Sequence, residues 1–134
     1  MKTGGEMCGG EMRAKYLPAF ADYYVKYLQA YSEAGVPIDA LTIQNEPETD
    51  QSGKMPQSRL HPDFELELAG YLLPERLRTA GLSTKIWIHD HNYDGWKRVN
   101  YILSDEKVRE NIDAVAWHPY GGTPEMMQAV RAKY

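Results

Sequence analysis

The sequence predicts an α/β fold in which parallel strands alternate with helices, and three observations carry that prediction. Short segments rich in apolar residues, at 38–44, 84–89 and 112–117, are separated by longer segments whose apolar residues recur at three and four positions. Each extended segment finishes in polar or aromatic residues, Gln44-Asn45-Glu46, His89-Asp90-His91-Asn92 and His118-Pro119-Tyr120, whereas 38–44 and 112–117 open on Ile. No glycine fingerprint of a phosphate-binding turn follows any of them. Strict alternation demands crossover helices and hence parallel strands. Chemistry gathered at the strand C-termini is what the rim of a (β/α)8 barrel requires. Three strands cannot close such a barrel, which typically takes about 250 residues. The 134 residues are therefore expected to be part of one, a partial barrel domain over residues 1–134.

In chain order, residues 1–11 carry Gly4, Gly5, Gly9 and Gly10 without the spacing of a phosphate cradle, and read as loop. A first helix is expected from about Lys15, with Pro18 in its first turn, Phe20, Tyr24, Tyr27, Leu28 and Tyr31 as the face turned to the sheet, and Gly35 as its C-terminal cap. The strand Ile38 to Gln44 then runs into Asn45-Glu46-Pro47, and the proline is expected to hold Glu46 extended. Residues 48–60, with Gly53 and Pro56, form a long rim loop of the kind that shapes substrate binding. A second helix starts near Pro62, carries Phe64, Leu68 and Leu72 at intervals of four, is broken or kinked by Pro74 and ends at Gly81.

The next strand, Thr84 to His89, turns Ile86 and Ile88 to one side and Trp87 to the other. Trp96 to Leu103 and Ser104 to Asn111 are helical, Ile112 to Trp117 is the third strand, and Thr123 caps a last helix that has Pro124 at its first position and Met127 and Val130 inside.

Composition narrows the functional classes. A net charge of −4 without any basic run excludes a phosphate-tracking nucleic-acid partner. No apolar run reaches the roughly 20 residues of a membrane span, and the first residues lack a signal-peptide pattern. The single Cys8 can make neither an internal disulfide framework nor a multi-cysteine zinc site. Ten Tyr and three Trp against two Phe suit a half-wet cleft, where rings with a polar tip stack on a sugar and still hydrogen-bond. A carboxylate at a strand end beside a neutral amide is the arrangement a glycosidase uses for a group that first protonates the leaving oxygen and then activates water.

Taken in order, Met1-Lys2-Thr3 through Gly9-Gly10, Thr42-Ile43-Gln44-Asn45-Glu46-Pro47, Asp90-His91-Asn92 and Ala116-Trp117-His118-Pro119-Tyr120 resemble glycoside hydrolase family 30, over essentially the whole chain. That family comprises retaining (β/α)8 glycosidases such as glucosylceramidases, β-1,6-glucanases and xylan-active enzymes. The resemblance implies that residues 1–134 span about strands 4 to 6, with the earlier strands and strands 7 and 8 outside. It implies that Glu46 is the general acid/base, that Asn45 hydrogen-bonds the sugar 2-hydroxyl, that His118 and Tyr120 follow the sixth strand with the tyrosine hydroxyl near the nucleophile, and that Asp90 orients its neighbours. The family's nucleophile is a Glu at the end of the seventh strand, beyond Tyr134, so this segment by itself is expected to be inactive. No cofactor and no metal is implied; the partner is a β-linked glycoside or oligosaccharide.

Two other readings stand beside it. His89, His91 and His118, with Asp90 adding an oxygen, have the residue types and the His-x-His spacing of a metal-dependent hydrolase. A non-catalytic half-barrel could instead hold carbohydrate on Trp96 and Trp117. Its unpaired strand edges would favour self-association.

Overall fold

The computed structural model describes residues 1–5, 7–49 and 55–134; Gly53 of the expected rim loop lies outside them. After a single 3-10 turn at Ala14–Tyr16 the elements are α1 (Leu17–Glu33), β1 (Ala40–Thr42), α2 (Pro62–Glu67), α3 (Leu73–Thr79), β2 (Lys85–Asn92), α4 (Trp96–Ile102), α5 (Glu106–Asn111), β3 (Ala114–His118) and α6 (Glu125–Lys133). The strands form one parallel sheet in the order β1-β2-β3, so each crossover returns the chain to the next place in the sheet. Ile86 and Ile88 are buried beneath the helices, and Trp87, pointing the other way, is 37% exposed on the sheet's second face. Parallel strands with their helices on one face are the architecture of a barrel sector.

The first helix shows how the sequence selects a buried face. Leu17, Ala21 and Leu28 are buried, with Tyr24 between them, at spacings of four, three and four. Pro18 sits in the first turn, where a missing N–H costs nothing. The end is closed at Gly35, whose φ of +79° lets its N–H reach the Ser32 carbonyl (3.0 Å) and the Val36 N–H reach the Tyr31 carbonyl (2.9 Å). Of the tyrosines expected to face the sheet, Tyr24 does so, and its hydroxyl donates to the Ile43 carbonyl. Tyr27 and Tyr31 do not: they are exposed and stack on each other, ring centroids 4.5 Å apart. Tyr27 lies about 100° around the helix from Leu28, off the buried stripe.

Pro74 divides the second helix as expected, with a detail the sequence hides. Between α2 and α3 the chain makes a π-helical turn, Leu68–Leu72, in which the Leu73 N–H bonds back to the Leu68 carbonyl. Pro74 has no N–H to offer the carbonyl of Gly70, and that carbonyl takes Asn111 Nδ2 instead (3.2 Å). Gly70 lies so close to α5 that a Cβ there would stand 3.0 Å from Val108 Cγ2. At the last helix, Thr123 serves through its carbonyl, which accepts the Met126 N–H (3.0 Å), and Pro124 stands just before the first helical residue.

The strand limits shift where the ladder, not the pattern, decides. β1 keeps only Ala40–Thr42, paired with Lys85–Trp87. β2 runs on past His89 to Asn92, so the polar tip expected beyond the strand is paired backbone, opposite Ala116, Trp117 and His118.

Candidate functional site

Three strand ends bring Glu46, Asp90 and His118 together. The local chain conformation at each is unusual: among the described residues the non-glycine positions with positive φ are Glu46 (+46°), His89 (+78°) and Asp90 (+48°). Such backbone costs on the order of 1–3 kcal/mol per residue and persists only where surroundings over-determine it. Glu46 is thus not extended, as expected from Pro47, but left-handed. The proline bars the right-handed helical region to the residue before it, and the left-handed conformation is held by the Glu46 N–H donating to the Asp90 carbonyl (2.9 Å), with Pro47 buried.

The pairing of β2 with β3 skips a residue between His89 and His91, a bulge with Asp90 as the extra residue. In a regular strand Asp90 would point back under the helices, on the side of Ile86 and Ile88. The bulge changes the phase. His89 goes inside, 1% exposed, with its ring against Trp117 (centroids 4.7 Å apart) and its Nε2 2.9 Å from the Asn92 carbonyl. Asp90 is turned to the rim.

There Asp90 Oδ2 accepts from Thr42 Oγ1 (2.6 Å) and Oδ1 meets His118 Nε2 (2.9 Å), while His118 Nδ1 stands 3.1 Å from Glu46 Oε1. Thr49 Oγ1 reaches Glu46 Oε2 (3.3 Å) and lies 3.4 Å from His91 Nε2. The side chains of Glu46, Asp90 and His118 are about one-fifth exposed, at 19%, 18% and 20%, open enough to meet a ligand. Burial works against the charged form of His118, but hydrogen bonds to Asp90 and Glu46, and their negative charge, outweigh it and hold the imidazole above the ordinary histidine range. Two protonation states satisfy every group in this row. In one, imidazolium donates to both carboxylates. In the other, Nε2–H donates to Asp90 while Nδ1 accepts a proton carried by Glu46. His118 is thus placed to exchange a proton with either carboxylate along the row.

Asn45 is exposed beside Glu46, and both line a cleft of about 270 Å³ with Tyr24, Gln44, Thr49 and Met55. Thr49, Met55, Pro56 and Gln57 of the rim loop thus border the cleft, as expected of that loop. Tyr120 is 80% exposed, its ring edge-on to His118 at 5.6 Å.

The metal constellation read from the sequence does not assemble as expected. His89 faces the interior, because the bulge and the approach of Gly95 lodge its ring under α4. Among the described residues the group that could hold an ion is Glu46, His91 and His118, each offering one ligand atom within 4.8 Å of the others. Sequence reasoning passed over Thr42, Thr49, Glu65 and Arg98. For Glu65 and Arg98 a signal existed: each is a charge on the apolar face of its helix, in phase with Leu68 and Ile102 respectively.

The description that matches the chain is the glycosyl hydrolase family 30 TIM-barrel domain, over residues 1–130. The chain is 43% identical over 108 residues to the endo-1,6-β-D-glucanase of Neurospora crassa, covering 81% of this chain and 22% of that protein. It is 33% identical over 134 aligned positions to putative glucosylceramidase 4 of Caenorhabditis elegans, covering 90% and 25%. Among solved structures it superimposes on SrfJ of Salmonella typhimurium with a TM-score of 0.90 at 28% identity, over 99% of this chain and 30% of that one. The chain spans about a quarter of the length of the relatives it matches.

Proposed function

This chain belongs to glycosyl hydrolase family 30, and we propose that it carries the general acid/base, Glu46, of a retaining β-glycosidase. The observation that carries the reading is the row Glu46, His118, Asp90, in which a strand-end carboxylate bordering an open cleft lies within hydrogen-bond distance of a histidine anchored from behind. Glu46 first protonates the departing glycosidic oxygen and later takes the proton of the water that releases the covalent intermediate. His118 holds the carboxylate and Asp90 holds His118. Asn45, at the mouth of the cleft, hydrogen-bonds the sugar 2-hydroxyl, and Tyr120 stands over the sugar beside His118.

A retaining mechanism needs a second carboxylate about 5–5.5 Å from the first. Asp90 is engaged by His118 and Thr42. We take the nucleophile, as the family resemblance implies, to be a Glu at the end of the seventh strand, outside residues 1–134, which stand for about strands 4 to 6 of the barrel domain. The likeness to the fungal endo-1,6-β-D-glucanase favours a β-1,6-linked glucan over a glucosylceramide as substrate.

The test begins with the coding sequence beyond Tyr134, where an apolar strand ending in Glu supplies the partner. In the product so defined, Glu46→Ala should lose β-1,6-glucan hydrolysis. It should keep the first step on an aryl β-glucoside whose leaving group needs no proton, and azide should rescue turnover with a β-glucosyl azide as product. An α-glucosyl azide, or a Glu46→Ala protein with unchanged glucan hydrolysis, refutes the assignment. Stoichiometric zinc or manganese after dialysis would instead support a hydrolase built on Glu46, His91 and His118.

A further inference from the structure

Behind the strand-end bulge lies a buried ion pair that the chemistry above does not use. Glu65 of α2 and Arg98 of α4 have side chains 1% and 3% exposed. Glu65 Oε2 accepts from Arg98 Nε (2.9 Å) and Nη2 (2.7 Å), and its other oxygen, Oε1, accepts the His89 backbone N–H at 2.6 Å. Arg98 Nη2 also donates to the Leu60 carbonyl (2.9 Å), while Nη1 stands 3.5 Å from Glu48 Oε1. Leu60 in turn donates its N–H to the Pro47 carbonyl (2.9 Å).

A bulge leaves backbone groups without ladder partners, and His89 is the first of its two positive-φ residues. We propose that Glu65 and Arg98 are positioning residues. The pair holds His89–Asp90 in the conformation that presents Asp90 to His118, and through Leu60 and Pro47 it ties down the turn that presents Glu46. Two strand ends on either side of the row are thus referred to one buried anchor, and its catalytic consequence rests on the reading of Glu46 as acid/base. A buried ion pair is poor evidence of a stabilising role, because desolvation of both charges offsets their attraction. Its geometry here, with one carboxylate oxygen given to the guanidinium and the other to a strained backbone N–H, points to the placement of that N–H.

The discriminating variant is Glu65→Leu/Arg98→Met, which replaces both charges by apolar side chains of similar length and is compatible with folding. The readout is the ring titration of His118 by NMR in this chain. In the parent the midpoint should lie above 6.5, the ordinary value. In the folded double variant Asp90 is released and the midpoint should fall below the parent's. A folded double variant that titrates like the parent overturns the proposal, since a merely structural pair would leave His118 unmoved. Arg98→Lys should give an intermediate midpoint, because one ammonium cannot reproduce the fork that spans Glu65 and Leu60.

Should the double variant fail to fold, the parent decides: its His89 amide must be protected from hydrogen exchange and shifted downfield, and an unprotected His89 amide overturns the proposal. In glucan hydrolysis by the longer product that includes the nucleophile, the double variant should lose about 100-fold in kcat/KM, the cost of a displaced catalytic group. If that longer product, without substitution, hydrolyses no β-glycoside the acid/base reading falls, and the titration still judges the anchor.

Discussion

Acidification should weaken this fold through one residue, His89. Burial, first, and then the nearby charges of His91 and Arg98 push its imidazole down to about 4, against a bond to the Asn92 carbonyl and the charge of Glu48, which act the other way. The ordinary value is 6.5, so between those limits the unfolded chain binds a proton that the folded chain refuses. The stability contributed by keeping His89 neutral is therefore complete above 6.5 and is lost as the pH falls toward 4. At about 1.36 kcal/mol per pH unit the gap is worth about 3 kcal/mol. Urea unfolding of the parent and of His89→Gln, at intervals from pH 7.5 to pH 4, isolates this contribution from every other titrating group. Glutamine can still donate to the Asn92 carbonyl and carries no proton to gain. The variant should be the less stable of the two at pH 7, and the difference should shrink or invert by about 3 kcal/mol at pH 4. A difference that changes by less than about 1 kcal/mol over that range would mean that His89 is hydrated or charged inside the fold.

Asp90→Asn should act in the opposite pH window. His118, held above its ordinary range, contributes stability that is full below 6.5 and is lost as the pH rises through its folded value. The variant should cost about 1.5–3 kcal/mol at pH 5, the scale of a charge-assisted hydrogen bond, and much less at pH 9 by the same unfolding assay. Gly95→Ala should destabilise by about 1–3 kcal/mol, because the added Cβ would lie 2.4 Å from Cε1 of a His89 ring wedged against Trp117. Gly122→Ala should weaken the turn after β3, since φ there is +80° and the Cβ would meet the Asp94 backbone nitrogen at 2.5 Å. A melting temperature equal to the parent's for either glycine variant would contradict the packing described.

Much of this molecule is local information. Helix and strand alternation, the glycine that ends α1, the proline that splits α2 from α3 and the polar strand ends each follow from a few neighbouring residues, whose propensities and spacing act before any tertiary contact forms. So does the resemblance, because Gln44-Asn45-Glu46-Pro47 and Trp117-His118-Pro119-Tyr120 are contiguous strings. With Asp90-His91-Asn92 they pointed to Glu46, Asp90 and His118 as residues of one rim.

What brings those three residues into one row is not local. Alternation alone would have sent Asp90 inward and His89 to the rim; a single extra residue in the β2–β3 ladder exchanges them, and whether a strand bulges depends on its neighbour's register. The left-handed backbone of Glu46 depends on a carbonyl from β2, and the exposure of Tyr27 and Tyr31 on which turns of α1 the sheet reaches. The Glu65–Arg98 anchor joins residues 33 positions apart to a backbone N–H on a third element. The sequence by itself determined the elements, their order and which polar side chains stand at the strand ends. Only the tertiary structure decided how those side chains face one another, because register, bulge and buried charge pairing are set by contacts between segments that no spacing along the chain encodes.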